Sequence, residues 1–142
     1  MTLFEKEQQI ITWLKEYDYI KASIIYLNDS IEDIAEAGMG LQYDKDVISK
    51  TNKLSSVVEN AAIVMDKLDI THKIKSMNNI IKAIDTSFMV LSDTEQSVIL
   101  NRCVKDKYYY QFIHLICVSE RTAVRIKREA IQKMIIVIFG IE

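Results

Sequence analysis

Arginine is confined to one end of this 142-residue chain. All four copies fall after residue 100, and three of them, Arg121, Arg125 and Arg128, sit at spacings of four and three within Ser119-Glu120-Arg121-Thr122-Ala123-Val124-Arg125-Ile126-Lys127-Arg128-Glu129. On a helix those spacings put the three guanidinium groups on one face. The chemistry open to them is recognition. A planar guanidinium bonds bidentately to O6 and N7 of guanine, a glutamate accepts from the cytosine amino group, and a threonine methyl meets the thymine methyl. Glu120, Arg121, Thr122, Val124, Arg125 and Arg128 are therefore candidate contacts to the edges of DNA bases, and Ser119, at the start of the same helix, is a further candidate DNA-binding residue. Lys127, Lys133 and the hydroxyls of Tyr108, Tyr109 and Tyr110 suit phosphates, which position a protein on DNA without specifying sequence. A basic amphipathic helix is also what an ordinary solvated surface looks like. The capped turn in front of this one favours the DNA reading.

That turn follows from the residues before it. Ser119 can accept from the free N–H groups of a first helical turn, so a helix starts there. Ala123, Ile126 and Ala130 then share the face opposite the arginines and pack inward. Upstream, Phe112-Ile113-His114-Leu115-Ile116 reads as a short apolar helix that ends at Cys117-Val118. Ser92-Asp93-Thr94-Glu95 is a capping box for a further helix, with Val98, Ile99, Cys103 and Val104 on its inner side. Asp106-Lys107 breaks that helix before the tyrosines. Residues 91–142 thus read as a three-helix DNA-binding domain of helix-turn-helix type.

Residues 1–90 read as a long-helix oligomerisation region. Leu3, Ile10, Tyr17, Ile24 and Ile31 repeat every seven residues, and Trp13, Ile20, Leu27 and Ile34 follow three later, with Lys6 the one polar exception. This is a coiled-coil or long packed-helix pattern, widened by Ile11, Leu14 and Ile25. Thr2 and Glu5 form a capping box at its start, and Gly38 and Gly40 give a stop. A second helix begins with Ser56 as cap and carries Ile70, Ile74, Met77, Ile81, Ile84, Phe88 and Leu91, with a register shift or break at Asp69 and Thr71. The expected helices span about 3–37 and 56–90, joined by a loop at 38–55. They form an antiparallel hairpin or pair with a second copy. At the other end, Met134-Ile135-Ile136-Val137-Ile138-Phe139 is apolar all round and far shorter than the twenty or so residues that cross a bilayer. It is expected to dock on the long helices or on a second subunit.

The segment from Leu91 and Glu95 through Val118-Ser119, Ala123, Ile126 and Ala130-Ile131 resembles region 4 of sigma-70-type factors. Over nearly its full length the chain resembles the small sigma-like regulators of phages and prophages of low-GC Gram-positive bacteria, the RinA and ArpU type. The residues that carry this wider likeness are Ile31-Glu32-Asp33-Ile34-Ala35-Glu36-Ala37-Gly38-Met39-Gly40, Tyr43-Asp44-Lys45-Asp46, Ser55-Ser56-Val57-Val58-Glu59-Asn60-Ala61 and Leu91-Ser92-Asp93-Thr94-Glu95. The resemblance implies a late-gene transcription activator that binds promoter or operator DNA beside host RNA polymerase, in the bacterial cytoplasm at the nucleoid. Two departures stand out. Cys117 occupies a turn position where such motifs carry Gly, which tolerates a positive φ, and Ala123 is smaller than the usual Val.

Composition bounds the rest. Half the chain is apolar (49%), 27% is charged, proline is absent and glycine occurs three times. An all-α fold with its own core follows, a long N-terminal helical hairpin or coiled coil leading into the C-terminal helix-turn-helix. Residues 1–90 hold ten Lys against fourteen acids, whereas residues 91–142 hold eight basic groups against six acids. The overall charge of -2 makes long-range attraction to DNA weak, so binding must rest on the local basic face and its duplication in a homodimer or higher homo-oligomer. Two cysteines suit a reducing compartment, and no signal peptide or membrane span is read. His72 and His114 are isolated from other metal ligands, no Gly-rich phosphate loop follows Gly38-Met39-Gly40, and no nucleophile lies near a base. No catalytic residue, metal site or cofactor is therefore expected, nor any enzyme activity. The alternatives kept open are a split sigma-like subunit and a DNA-packaging protein of small-terminase type.

Overall fold

In the computed structural model, backbone is described for residues 1–43 and 52–141 and side chains for residues 1–33 and 62–141. All regular structure among the described residues is helical. Helix α1 (Leu3–Tyr43) opens with the reciprocal box read from the sequence: the Glu5 N–H donates to Thr2 Oγ1 at 3.2 Å, and the Thr2 N–H donates to Glu5 Oε2 at 2.7 Å. It does not stop at Gly38 or Gly40 but continues to Tyr43. A glycine costs only about 1 kcal/mol relative to alanine inside a helix, which slows propagation without ending it.

Helix α2 (Asn52–Phe88) begins ahead of Ser56, so that serine lies inside the helix and does not cap it. The expected loop at 38–55 is thereby shortened from both sides, and what is left of it, 44–51, lies outside the described residues. Nor does α2 break near Asp69. The Thr71 hydroxyl donates to the Lys67 carbonyl one turn back at 2.7 Å, so the polar side chain joins the helix's own ladder. At its C-terminus α2 has no glycine. Gln96 Nε2 donates to the Phe88 and Leu91 carbonyls at 2.7 and 3.2 Å and satisfies two acceptors there, a capping role that sequence spacing did not reveal.

Helix α3 (Asp93–Ile99) opens on Ser92, whose hydroxyl accepts from the Glu95 N–H while Glu95 Oε1 accepts from the Ser92 N–H, both at 3.3 Å. Its last turn widens to a π-turn over Leu100–Val104, closed by the Lys105 N–H donating to the Leu100 carbonyl at 2.9 Å. Asp106 then takes a left-handed conformation, φ 51°, and ends the helix where the sequence places a break. A 3-10 turn (Tyr109–Gln111), the single-turn α4 (Ile113–Ile116) and α5 (Glu120–Phe139) complete the chain.

The chain divides into two compact units, Met1–Ile20 with Asn79–Glu142, and Lys21–Asn78. This differs from a boundary near residue 90, because the start of α1 and the last turns of α2 share a core with α3 and α5. In the first unit Ile10, Leu14, Ile84, Leu91, Ile99, Cys103, Ala130, Ile131, Met134 and Ile135 form one buried cluster. The apolar C-terminal run thus docks on the long helices of its own chain. Phe139 stacks on Trp13 with ring centroids 6.5 Å apart, and Lys6, the polar exception in the heptads, is 7% exposed with its ammonium 5.7 Å from the Phe139 ring. Tyr17 donates its hydroxyl to Asp85 at 2.6 Å. In the second unit Ile24, Leu27, Ile31, Ile70, Ile74 and Met77 are all half-buried, and no described residue there is fully buried.

Candidate nucleic-acid interface

The backbone in front of α5 makes a tight reversal. Cys117 sits in the left-handed region, φ 55° and ψ 40°, after the single turn of α4. Its N–H donates to the Ile113 carbonyl, and the Val118 N–H reaches the same carbonyl at 3.5 Å. This is the helix-ending arrangement for which glycine is favoured, so the cysteine holds a conformation that costs an L-residue roughly 1–2 kcal/mol. Ser119 follows in an extended conformation, and its hydroxyl oxygen accepts from the Thr122 N–H at 3.2 Å while donating to Thr122 Oγ1 at 2.9 Å. The serine starts α5 as its type and position require.

One face of α5 is fixed by packing. Ala123 and Ala130 are fully buried, Ile126 is half-buried, and Ile131, Met134 and Ile135 continue the buried stripe. Phe112 and Val98, in the segments just before, are also fully buried. Small residues at 123 and 130 let the backbone of α5 approach its neighbours closely, and that fixes the rotation of the helix about its axis. Arg121, Thr122, Val124, Arg125 and Arg128 are consequently brought together around one open concavity on the outer face. Arg125 lies 3.9 Å from Glu129 with both side chains more than half exposed, an exposed pair worth little. Glu120 is exposed at the first turn.

The expected phosphate contacts separate into distinct environments. Lys133 is tied to Glu95, Nζ to Oε1 at 2.8 Å, and its ammonium serves to fasten α5 to the capping box of α3. Burial pushes the Glu95 carboxyl up, but the Lys133 ammonium and the Ser92 hydrogen bonds outweigh it and hold the group below the ordinary glutamate value. Lys127 is half-buried on the flank of α5, close enough to Cys103 to influence that thiol. Burial nevertheless dominates there and pushes the Cys103 thiol up, so it stays protonated. Tyr108 and Tyr110 are exposed, whereas Tyr109 points inward with its ring on Phe112, centroids 5.9 Å apart. Burial raises the Tyr109 phenol, partly countered by Arg102.

Arg102 stands apart from the other arginines. Its guanidinium lies 5.2 Å from the Tyr109 ring centroid, donates to the Lys107 carbonyl at 3.3 Å and pairs with Asp106 at 3.5 Å. It therefore clamps the loop that leads into α4. Arg102 falls outside the four-and-three spacing of Arg121, Arg125 and Arg128, but that spacing did not reveal its clamping role, since its partners come from a loop whose path is set by the π-turn and the left-handed Asp106.

Among the described residues no group of three His, Cys, Asp or Glu could hold a metal ion, and no helix is long and apolar enough to cross a membrane. Comparison with protein-family models, with curated proteins and with solved structures gives no match for this chain.

Proposed function

We propose that this chain is a sequence-specific regulator of transcription that binds double-stranded DNA through α5, of the kind found as late-gene activators in phages and prophages. The observation that carries the reading is the outer face of α5. Three arginines, a threonine and a valine surround one open concavity on a helix whose opposite face is locked by Ala123 and Ala130. Arginine and threonine are the residue types that read guanine and thymine in the major groove, and a helix with a fixed rotation presents them in a constant register. In this reading Arg121, Arg125 and Arg128 meet bases, with Glu120, Thr122 and Val124 beside them. Lys127 and the capped N-terminus at Ser119 meet phosphate.

Self-association supplies a second reading face, which a chain of net charge -2 needs for useful affinity at physiological salt. Ile25, Tyr26, Val64, Met65 and Leu68 are each more than half exposed within the unit Lys21–Asn78 and are consistent with contact between copies. Host RNA polymerase is the expected second partner. The resemblance to sigma-like regulators of the RinA and ArpU type supports this assignment at the level of motif only.

Selection of duplexes from a random DNA pool at near-physiological salt tests the reading. A recurrent motif is expected, with half-site spacing that reports the oligomer. Arg121→Ala or Arg125→Ala should weaken binding to that motif by about 1–3 kcal/mol and relax its sequence. Absence of any enriched motif, or equal loss on random DNA for both variants, would remove the assignment. Transcription with core polymerase alone separates an activator from a sigma-like subunit, because only the latter replaces the host factor.

A further inference from the structure

The loop between α3 and α4 carries a second cluster that the α5 face does not use. Its sequence is Lys105-Asp106-Lys107-Tyr108-Tyr109-Tyr110. Tyr108 and Tyr110 are 64% and 68% exposed, yet their rings lie parallel, 8° apart in plane with centroids 5.7 Å apart. Large aromatic rings held outward in a fixed mutual geometry are unusual, since their apolar surface favours burial.

The segment is pinned from beneath. Tyr109, between the two, is turned onto Phe112 and lies under the Arg102 guanidinium. The Tyr108 N–H donates to Gln111 Oε1 at 2.9 Å, and the Gln111 and Phe112 N–H groups return to the Tyr108 and Tyr109 carbonyls at 3.0 and 3.2 Å. The outward pair is thus presented by an ordered turn and needs no rearrangement to offer its faces.

The charges around it point to one class of ligand. Two acids lie near the cluster: the Asp106 carboxylate pairs with Arg102 at 3.5 Å, and Glu120, at the start of α5, is close enough to act on the Tyr109 phenol. Lys105 and Lys107 are exposed, and among the described residues neither has an acid partner. Two unpaired ammonium groups beside two exposed parallel rings match what unpaired nucleotides require: a π-face for the base and cations for the flanking phosphates. A base-paired duplex hides its base faces and cannot use the rings in this way. At 5.7 Å the pair leaves no room for a base between the rings, which would need two stacked layers of about 3.4 Å each, so stacking uses the outer faces.

We propose that Tyr108 and Tyr110, with Lys105 and Lys107, form a binding platform for unpaired nucleotides of single-stranded DNA, separate from the duplex-reading face of α5. The choice of DNA over RNA rests on the reading of α5 above; the stacking chemistry does not.

The test is fluorescence anisotropy of the full chain with a labelled oligodeoxythymidine of about twenty nucleotides, an oligouridine of the same length and a blunt duplex, each over a range of salt. The oligodeoxythymidine is expected to bind, and Y108A/Y110A is expected to weaken it roughly tenfold or more, the size of one or two lost stacking contacts. Y108F/Y110F should bind as the parent does, because the ring and not the hydroxyl acts. K105Q/K107Q should flatten the salt dependence. R121A/R125A should leave the single strand bound while weakening the duplex, and single-strand binding that persists without any duplex binding would sustain the platform while removing the α5 reading. No binding of the oligodeoxythymidine, an unchanged affinity in Y108A/Y110A, or tighter binding of oligouridine than of oligodeoxythymidine overturns the proposal.

Discussion

Helices α1 and α2 carry one apolar pattern along their length but meet two fates. In the unit made of Met1–Ile20 and Asn79–Glu142, Ile10, Leu14 and Ile84 are completely buried. In the unit Lys21–Asn78 the equivalent stripe residues Ile24, Ile31, Ile70 and Ile74 are only half-buried, and Ile25, Tyr26, Met65 and Leu68 are exposed. The sequence pattern is the same in both; the difference is the extra helices. In the first unit Met134, Ile135 and Phe139 from the end of α5 and Leu91 and Ile99 from the α3 region close over the two long helices. Periodicity settles which side of a helix is apolar, whereas full burial needs enough neighbours to surround that side.

Removing residues 134–142 is the most severe way to break this comparison. It strips Met134, Ile135, Ile138 and Phe139 from the core at once. The expected outcome is loss of the cooperative thermal transition of the first unit, followed by circular dichroism; an unchanged melt would mean that α5 does not complete that core. A matched pair on one helix comes next. Ile84→Ala removes a fully buried side chain and should cost about 2–5 kcal/mol. Ile70→Ala removes a half-buried one and should cost about 1 kcal/mol. Urea unfolding measures both, and equal losses would erase the distinction between the two units.

Within the first unit, Cys117→Gly sharpens the account of the turn. Glycine relieves the left-handed conformation at φ 55° but gains freedom in the unfolded chain, so a net stabilisation of about 1 kcal/mol is expected. A loss of stability in urea would show that the cysteine side chain contributes more than its backbone costs. The smallest effect concerns Glu95. Its carboxyl is held below the ordinary glutamate value by Lys133 and Ser92 despite burial. Its contribution is therefore complete above the ordinary glutamate value and is lost as pH falls through the lower folded one. Glu95→Gln should be less stable than the parent at neutral pH, and the difference should vanish on acidification below the carboxylate range. A gap that stays constant with pH would assign the stabilisation to hydrogen bonding instead of charge.

The parts of the candidate interface that depend on neighbours in sequence were legible from residue types. Ser119 and Ser92 cap the helices they precede, because a side-chain oxygen at that position meets free N–H groups in any context. Cys117 takes the positive φ that its place in the turn implies. The grouping of Arg121, Arg125 and Arg128 follows from helical spacing alone. What spacing could not separate was the role of residues with long-range partners. Lys133 looks like a phosphate contact until Glu95, 38 residues away, is found 2.8 Å from it, and three consecutive tyrosines look equivalent until Phe112 and Arg102 draw the middle one inward.

By itself, then, the sequence determined the all-α class, the capped starts of α1, α3 and α5, the apolar stripes and the confinement of arginine to one end, all properties of hydrogen bonding and side-chain spacing over a few residues. Only the tertiary structure decided where α1 and α2 end, which half of them is buried, that the apolar C-terminus closes the core of its own chain, and which cations are free to meet a ligand. Those outcomes depend on what other elements bring within a few ångströms, and burial and ion pairing act across space without regard to distance along the chain.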